Sequence, residues 1–208
     1  MSAERPAPGT LRPRGRTERV RQAVIAATRA VLVEVGYEGL SIERVADKAG
    51  VAKSTVYRRW RDTAGLLMEL LNEFVAAEIP LADTGTVDED LRRLAVQISR
   101  FFTDHVAGSL VLALIAESVH NAPAAEGLRE FWTRRNTQAA EIVHRAIARG
   151  ELPEATDPVE VIRMIGAPLY YRLLVTHEPF DEIVAERAAA AALAAARAGA
   201  LDQPSRTA

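Results

Sequence analysis

The stretch SIERVADKAGVAKSTVYRRW, Ser41 to Trp60, carries two short helical patterns on either side of one glycine. Before Gly50, the residues Ile42, Val45, Ala46 and Ala49 recur at spacings of three and four, behind a serine whose hydroxyl can cap the first turn. After it, Val51 and Val56 point inward, and Lys53, Ser54, Thr55, Tyr57, Arg58 and Arg59 are left outside. Ala46 and Ala49 are small, as needed where two helices cross closely, and Gly50 accepts a positive φ that other residues resist. This is the build of a helix-turn-helix, whose second helix enters the major groove with its first residues against base edges. Glycine-turned hairpins also occur in ordinary bundles, where a charged outer face is merely solvated. The surroundings of the stretch therefore matter.

Those surroundings are basic. Residues 1–62 hold 13 Lys and Arg against 7 acids, a net +6, and the rest of the 208-residue chain carries −8. A basic head on an acidic body is the electrostatic outline of a polyanion-binding module joined to something else. Cysteine is absent, which excludes disulfides and thiolate metal sites and fits a reducing compartment. Apolar runs such as Ser109 to Ala116 fall short of the ~20 residues of a membrane span, so a cytoplasmic protein is expected.

Outside that stretch the grammar is helical throughout. Val20, Val24, Ala27, Val31 and Val35 define the inner face of a first helix stopped by Gly36. Leu66, Leu67, Leu70, Leu71 and Phe74 mark a fourth helix ending near Pro80. Thr86 to Glu89 reads as a capping box, and Gly108 as the break before the apolar stretch Leu110 to Val119. Pro123 and Gly150 frame a long amphipathic helix. Asp157-Pro158-Val159-Glu160 opens another, in which Gly166 and Pro168 predict a kink. Asp181 starts a last, alanine-rich helix ending near Gly199. The expectation is an all-α protein of nine helices. It comprises a disordered basic arm (1–16), a three-helix DNA-binding domain (17–62), a helical bundle (63–199) that dimerises and senses a ligand, and a frayed tail (200–208).

The segment Arg19 to Leu71 resembles the tetracycline-repressor (TetR) family. The likeness rests on Gly36-Tyr37-Glu38-Gly39, Leu40-Ser41-Ile42, Val45-Ala46, Ala49-Gly50-Val51, Ser54-Thr55-Val56-Tyr57 and Trp60 at their spacings. It implies a homodimeric regulator of operator DNA whose variable helical body holds a ligand cavity and dimerises through its last two helices. By the same resemblance, Thr55 and Tyr57 fall at recognition-helix contacts, Tyr57 on a phosphate. Lys53, Ser54 and Arg59 take the variable positions, and Arg44 stands at the groove edge. Two residues depart from the pattern: Ala52 replaces a capping serine, and Thr63 replaces a lysine that commonly touches phosphate. Arg58 and Arg61 are the candidate substitutes for that lysine.

The body offers candidates and no catalytic signature. Phe102, His105, Leu112, Ile115, Trp132, Met164 and Tyr171 are the candidate ligand lining, with ordinary core packing as the alternative for each; such a set suits a small, mostly apolar effector. Val161, Ile162, Ile165, Leu169 and Leu173, with Ala189 and Leu193 of the last helix, are the candidate dimer interface. The four histidines, His105, His120, His144 and His177, lack metal-ligand spacing, so no metal, cofactor or enzymatic activity is expected. Arg12, Arg14 and Arg16 of the arm suit a minor groove or a solvated tail equally. Two rival readings stay open: a ligand-binding bundle that has lost DNA recognition, and an activator or architectural DNA binder without effector.

Overall fold

A computed structural model describes residues 13–78 and 81–203. Its described residues form nine α-helices and one π-helical turn, in two compact units divided between Leu66 and Leu67.

The first unit is built by α1 (Pro13–Val35), α2 (Ile42–Ala49), α3 (Lys53–Trp60) and the start of α4 (Thr63–Glu78). Helix α1 begins at Pro13, so Pro13 to Arg16 are helical where an arm was expected; proline at a first helical position loses no hydrogen bond. The remainder of that arm lies outside the described residues. Val24, Ala27 and Val31 face inward as the periodicity predicts, but Val35 at the fraying end is 43% exposed. Ser41 caps α2 by accepting from the Arg44 amide. Gly50, at φ 63°, ends α2: its N–H donates to Asp47 and that of Val51 to Ala46, a paired closure that spends the last carbonyls. Ile42, Val45, Ala46, Val56 and Trp60 then close the core under α2 and α3.

The junction from α3 to α4 is tighter than the sequence suggests. Arg61 sits at φ 65° and ψ −54°, and the Asp62 N–H donates to the Trp60 carbonyl at 2.8 Å. That is a γ-turn of the rare, strained hand, held by a residue other than glycine. Asp62 then caps α4 by accepting from the Gly65 amide at 2.9 Å. A Cβ on Gly65 would lie 2.1 Å from the Trp60 carbonyl oxygen, so only glycine fits.

The second unit comprises the rest of α4 with α5 (Val87–Thr103), α6 (His105–Ser118), α7 (Ala122–Ala148), α8 (Pro158–Tyr171) and α9 (Glu182–Arg197). Helix α9 packs on α5 and α8, and α7 on α6 and α8. Its buried alanines, Ala185, Ala188, Ala189, Ala192 and Ala196, permit the close approach. Arg92–Glu186, Arg100–Glu182 and Arg197–Asp88 pairs run along the α5–α9 seam at 2.7–2.8 Å. They are partly exposed, so they set register more than stability.

Three sequence expectations shift here. The break between α5 and α6 is an 80° bend at Asp104, which caps α6; Gly108 is instead buried inside α6, where a Cβ would meet the Phe102 carbonyl at 2.5 Å. Thr86 makes no capping bond: Glu151 takes the Val87 amide at 2.7 Å, and Glu89 is held by Arg92 and Arg93. Helix α8 runs through Pro168, and the backbone widens one turn later, in the π-helical turn Arg172–Thr176.

The chain end is also held further than expected. Asp157 N–H donates to Leu201 and Gln203 N–H to Ala155, so residues 200–203 are pinned beside the start of α8; residues 204–208 lie outside the described set. No single helix among the described residues is long and apolar enough to cross a membrane.

Candidate nucleic-acid interface and ligand cavity

Helix α3 divides its residues cleanly. Val56 and Trp60 are buried; Lys53, Ser54, Tyr57, Arg58 and Arg59 are exposed and Thr55 is half-buried. Arg44 on α2 and Arg61 after α3 are exposed as well. Ala52 supplies no side-chain bond to the first turn, leaving early amides without that cap. No acid interrupts the outer face of α3.

Two features of this face were absent from the sequence reading. The Tyr57 hydroxyl donates to Glu43 Oε1 at 2.9 Å, tying α3 to α2. Backbone hydrogen bonding and then this hydroxyl hold the Glu43 carboxyl below its ordinary range, and the carboxylate in turn raises the Tyr57 phenol. The partners stand 14 residues apart, so no local pattern announces them. Secondly, Arg16 and Thr17 at the start of α1 line a cleft of about 470 Å³ with Gly50, Ala52, Thr55, Arg58 and Arg59. Three arginines and no carboxylate face that cleft. Arg59 also lies over the Trp60 ring, 5.1 Å from its centroid.

In the second unit, α5, α7 and α8 line a partly open chamber of about 360 Å³, with Val75 of α4 at its edge. Its walls are Leu94, Ile98, Phe101 and Phe102 of α5, Trp132, Arg135, Asn136 and Ala139 of α7, and Ile162, Arg163, Gly166, Ala167 and Tyr170 of α8. Tyr170 is the hub: Phe102 meets its ring at 4.7 Å and Trp132 at 5.4 Å, both edge-on. Phe101 and Phe131 extend the cluster behind them.

Of the seven ligand candidates, Phe102 and Trp132 are on this wall. His105 is exposed at the first position of α6, and Leu112 (37%), Met164 (38%) and Tyr171 (57%) face outward. Ile115 is half-buried on α6, which contributes nothing to the chamber. The α8 error is one of phase: Tyr170 lines the chamber, and its neighbour Tyr171 is turned about 100° away.

The dimer candidates need the same correction. Val161, Ile162, Ile165, Leu169, Ala189 and Leu193 are buried inside the unit, against α5, α7 and each other's helices, and Leu173 is half-buried. Periodicity identified the apolar stripe that a single chain consumes. The exposed apolar residues of these helices form a second stripe: Met164, Ala167, Pro168, Tyr171 and Val175 on the α8 side, and Ile183, Ala190, Ala191 and Ala194 on α9.

Residues 24–70 match the family model for bacterial regulatory proteins, tetR family, and residues 81–192 the tetracyclin repressor-like, C-terminal domain. The HTH-type transcriptional regulator AqdR of Rhodococcus erythropolis is 34% identical over 162 residues, 78% of this chain and 77% of AqdR. YdeS of Bacillus subtilis, an uncharacterized HTH-type transcriptional regulator, is 30% identical over 172 residues, 82% of this chain and 86% of its own. The crystal structure of the TetR family transcription regulator SCO0332 aligns with a TM-score of 0.73 at 27% identity, over 84% of this chain and 97% of that one.

Proposed function

The chain belongs to the tetR family of bacterial regulatory proteins, DNA-binding transcription regulators rather than enzymes, and we propose that it is a homodimeric repressor released from a pseudo-palindromic operator by a small, mostly apolar effector. The observation that carries the DNA half is the unbroken donor face of α3 over buried Val56 and Trp60.

Lys53, Ser54 and Thr55 stand at the N-terminal end of α3, which in a helix-turn-helix meets base edges. Arg58, Arg59 and Arg61, with Arg44 across the turn, neutralise phosphates on either side. A phosphate oxygen only accepts, so the Tyr57 hydroxyl leaves Glu43 to donate to it; until DNA arrives, Glu43 holds the ring in place. Arg16, in the cleft beside Arg58 and Arg59, adds a further cation.

A second copy supplies the second half-site. The exposed stripe of Met164, Tyr171, Val175, Ile183 and the outer alanines of α9 pairs with its symmetry mate, two helices from each chain. Recognition helices on the two protomers then meet successive major grooves, roughly one turn of DNA apart. An effector in the chamber disfavours that spacing only through unequal affinity for the two arrangements of the body.

The reading is tested by selecting genomic fragments from the gene's own neighbourhood with the purified protein. A bound site with two inverted half-sites, reporter expression that rises when the gene is deleted, and a dimer in sedimentation that Tyr171→Glu splits would support it. Monomers on an asymmetric site, or reporter expression that falls on deletion, would refute the repressor assignment.

A further inference from the structure

The chamber of the second unit is walled by carbon, and the charges beside it are already matched. Phe102 and Trp132 meet the Tyr170 ring edge-on at 4.7 and 5.4 Å. Tyr170 borders the space, but its hydroxyl is closed off from every surface, so this residue presents carbon there. Arg135 and Arg163 are the lining residues with charged side chains. Arg163 donates to Glu160 at 3.2 Å, and both side chains of that pair stand partly in water. Arg135 is half-buried and engaged with a partner of its own.

This arrangement penalises an ion of either sign. Arg163 and Ala167 are exposed lining residues, so the chamber opens to water beside them. A carboxylate at that rim meets Glu160 as well as Arg163, and deeper in it has to draw Arg135 from its present partner. An ammonium group meets two guanidiniums that donate and never accept. An ion that leaves water without gaining a partner loses hydration that nothing replaces. A neutral molecule avoids that loss. Asn136, also in the wall, is uncharged, and an amide both donates and accepts, which suits a neutral hydroxyl or carbonyl.

Resting on the effector reading above, we propose that the chamber takes an uncharged aromatic molecule of one or two rings and rejects carboxylates and ammonium ions built on the same rings. A volume of about 360 Å³ lies at the small end of the range of small-molecule sites. A ligand ring joins the cluster of Phe102, Trp132 and Tyr170, and aromatic contacts add to what burial of apolar area alone supplies. A flexible alkyl chain of equal size gains no such contact and loses rotamer freedom on entry. Gly166 keeps the space open: a Cβ there would stand 3.4 Å from the Tyr170 ring, in ordinary contact, and a longer side chain would enter the chamber.

Calorimetry on the full-length protein at neutral pH tests this with four probes of similar size: the neutral 2-naphthalenemethanol, the anion 2-naphthoate, the cation 2-naphthylmethylammonium, and the neutral chain 1-nonanol. The expected result is that 2-naphthalenemethanol binds at least about tenfold more tightly than either ion, and more tightly than 1-nonanol. Two variants locate the site. Gly166→Leu fills the chamber from α8, and Ile98→Trp fills it from α5 at a half-buried position outside the tightest core. Each should weaken 2-naphthalenemethanol about tenfold or more, with circular dichroism confirming the helical fold. If one variant fails to fold, the other decides. Equal or tighter binding of either ion or of 1-nonanol, no binding of 2-naphthalenemethanol, or affinity that survives in the folded variants would each overturn the assignment. Operator release, measured separately, keeps the two readings apart. If 2-naphthalenemethanol binds as described but DNA stays bound, the ligand class stands and the effector role falls. If a charged compound frees DNA from the wild type but not from Ile98→Trp, the effector role stands and this ligand class falls.

Discussion

The outer face of α3 and the chamber of the second unit are opposite solutions to recognition. The first is made by one eight-residue helix, faces water, and consists almost wholly of donors. The second is made where four helices converge, is apolar, and holds a few polar groups inside it. A surface face can change its side chains at modest cost to folding, because they fill no part of the core. A chamber is continuous with the core, so its residues serve stability and binding together. Binding can therefore be separated from folding by substitution more readily at α3 than in the chamber.

The contrast breaks down first where the α3 face is anchored. Gly65→Ala drives a Cβ into the Trp60 carbonyl and should destabilise the first unit by about 2–4 kcal/mol. Each unit contains one of the two tryptophans, Trp60 and Trp132, so denaturant titrations of Trp132→Phe and Trp60→Phe backgrounds read the units separately. The loss should appear only with the Trp60 reporter. Equal loss at both would mean that the units do not fold independently.

A smaller effect of opposite sign is expected at Arg61. Glycine relieves a positive-φ turn, so Arg61→Gly should stabilise the first unit by about 1 kcal/mol. It should also weaken operator binding and reduce the salt slope by about one, through the lost phosphate contact. Stabilisation with unchanged affinity would remove Arg61 from the interface.

The smallest effect concerns acid. Arg92 and Arg93 hold the Glu89 carboxyl at about 2, and Arg197 lowers that of Asp88. Folded-state values below the unfolded ones add stability that is present above about pH 4.5 and is lost as pH falls towards 2. Asp88 is exposed and Glu89 half-buried, so the change is modest. Glu89→Gln should flatten the acid limb of the Trp132-reported stability curve and leave the Trp60-reported curve alone. An unchanged acid limb would show that the pairs of Glu89 with Arg92 and Arg93 contribute nothing.

What was legible in the sequence follows from the same contrast. Helix count, the Ser41 and Asp157 caps and the span of α3 depend on residues within a few positions of one another, and periodicity exposes them. So does the outer face of α3, since a short helix with two buried residues has little choice of what to present. The chamber depends on which α8 phase meets α5 and α7, and a 100° difference separates Tyr170 from Tyr171. Periodicity marks Val161, Ile165 and Leu169 as an apolar face without saying whether this chain or a partner covers it, and here the chain itself does. The Tyr57–Glu43 bond and the γ-turn at Arg61 are illegible for a related reason: the first joins side chains 14 residues apart, and the second accompanies the close approach of Gly65 to the Trp60 carbonyl, not any local residue preference.

The most direct test replaces Lys53, Thr55, Tyr57 and Arg59 together by alanine and measures anisotropy of a labelled operator against scrambled DNA. The account predicts loss of the preference for the operator, with helical circular dichroism and dimeric sedimentation unchanged. A folded, dimeric variant that still prefers the operator as strongly as the wild type would contradict it.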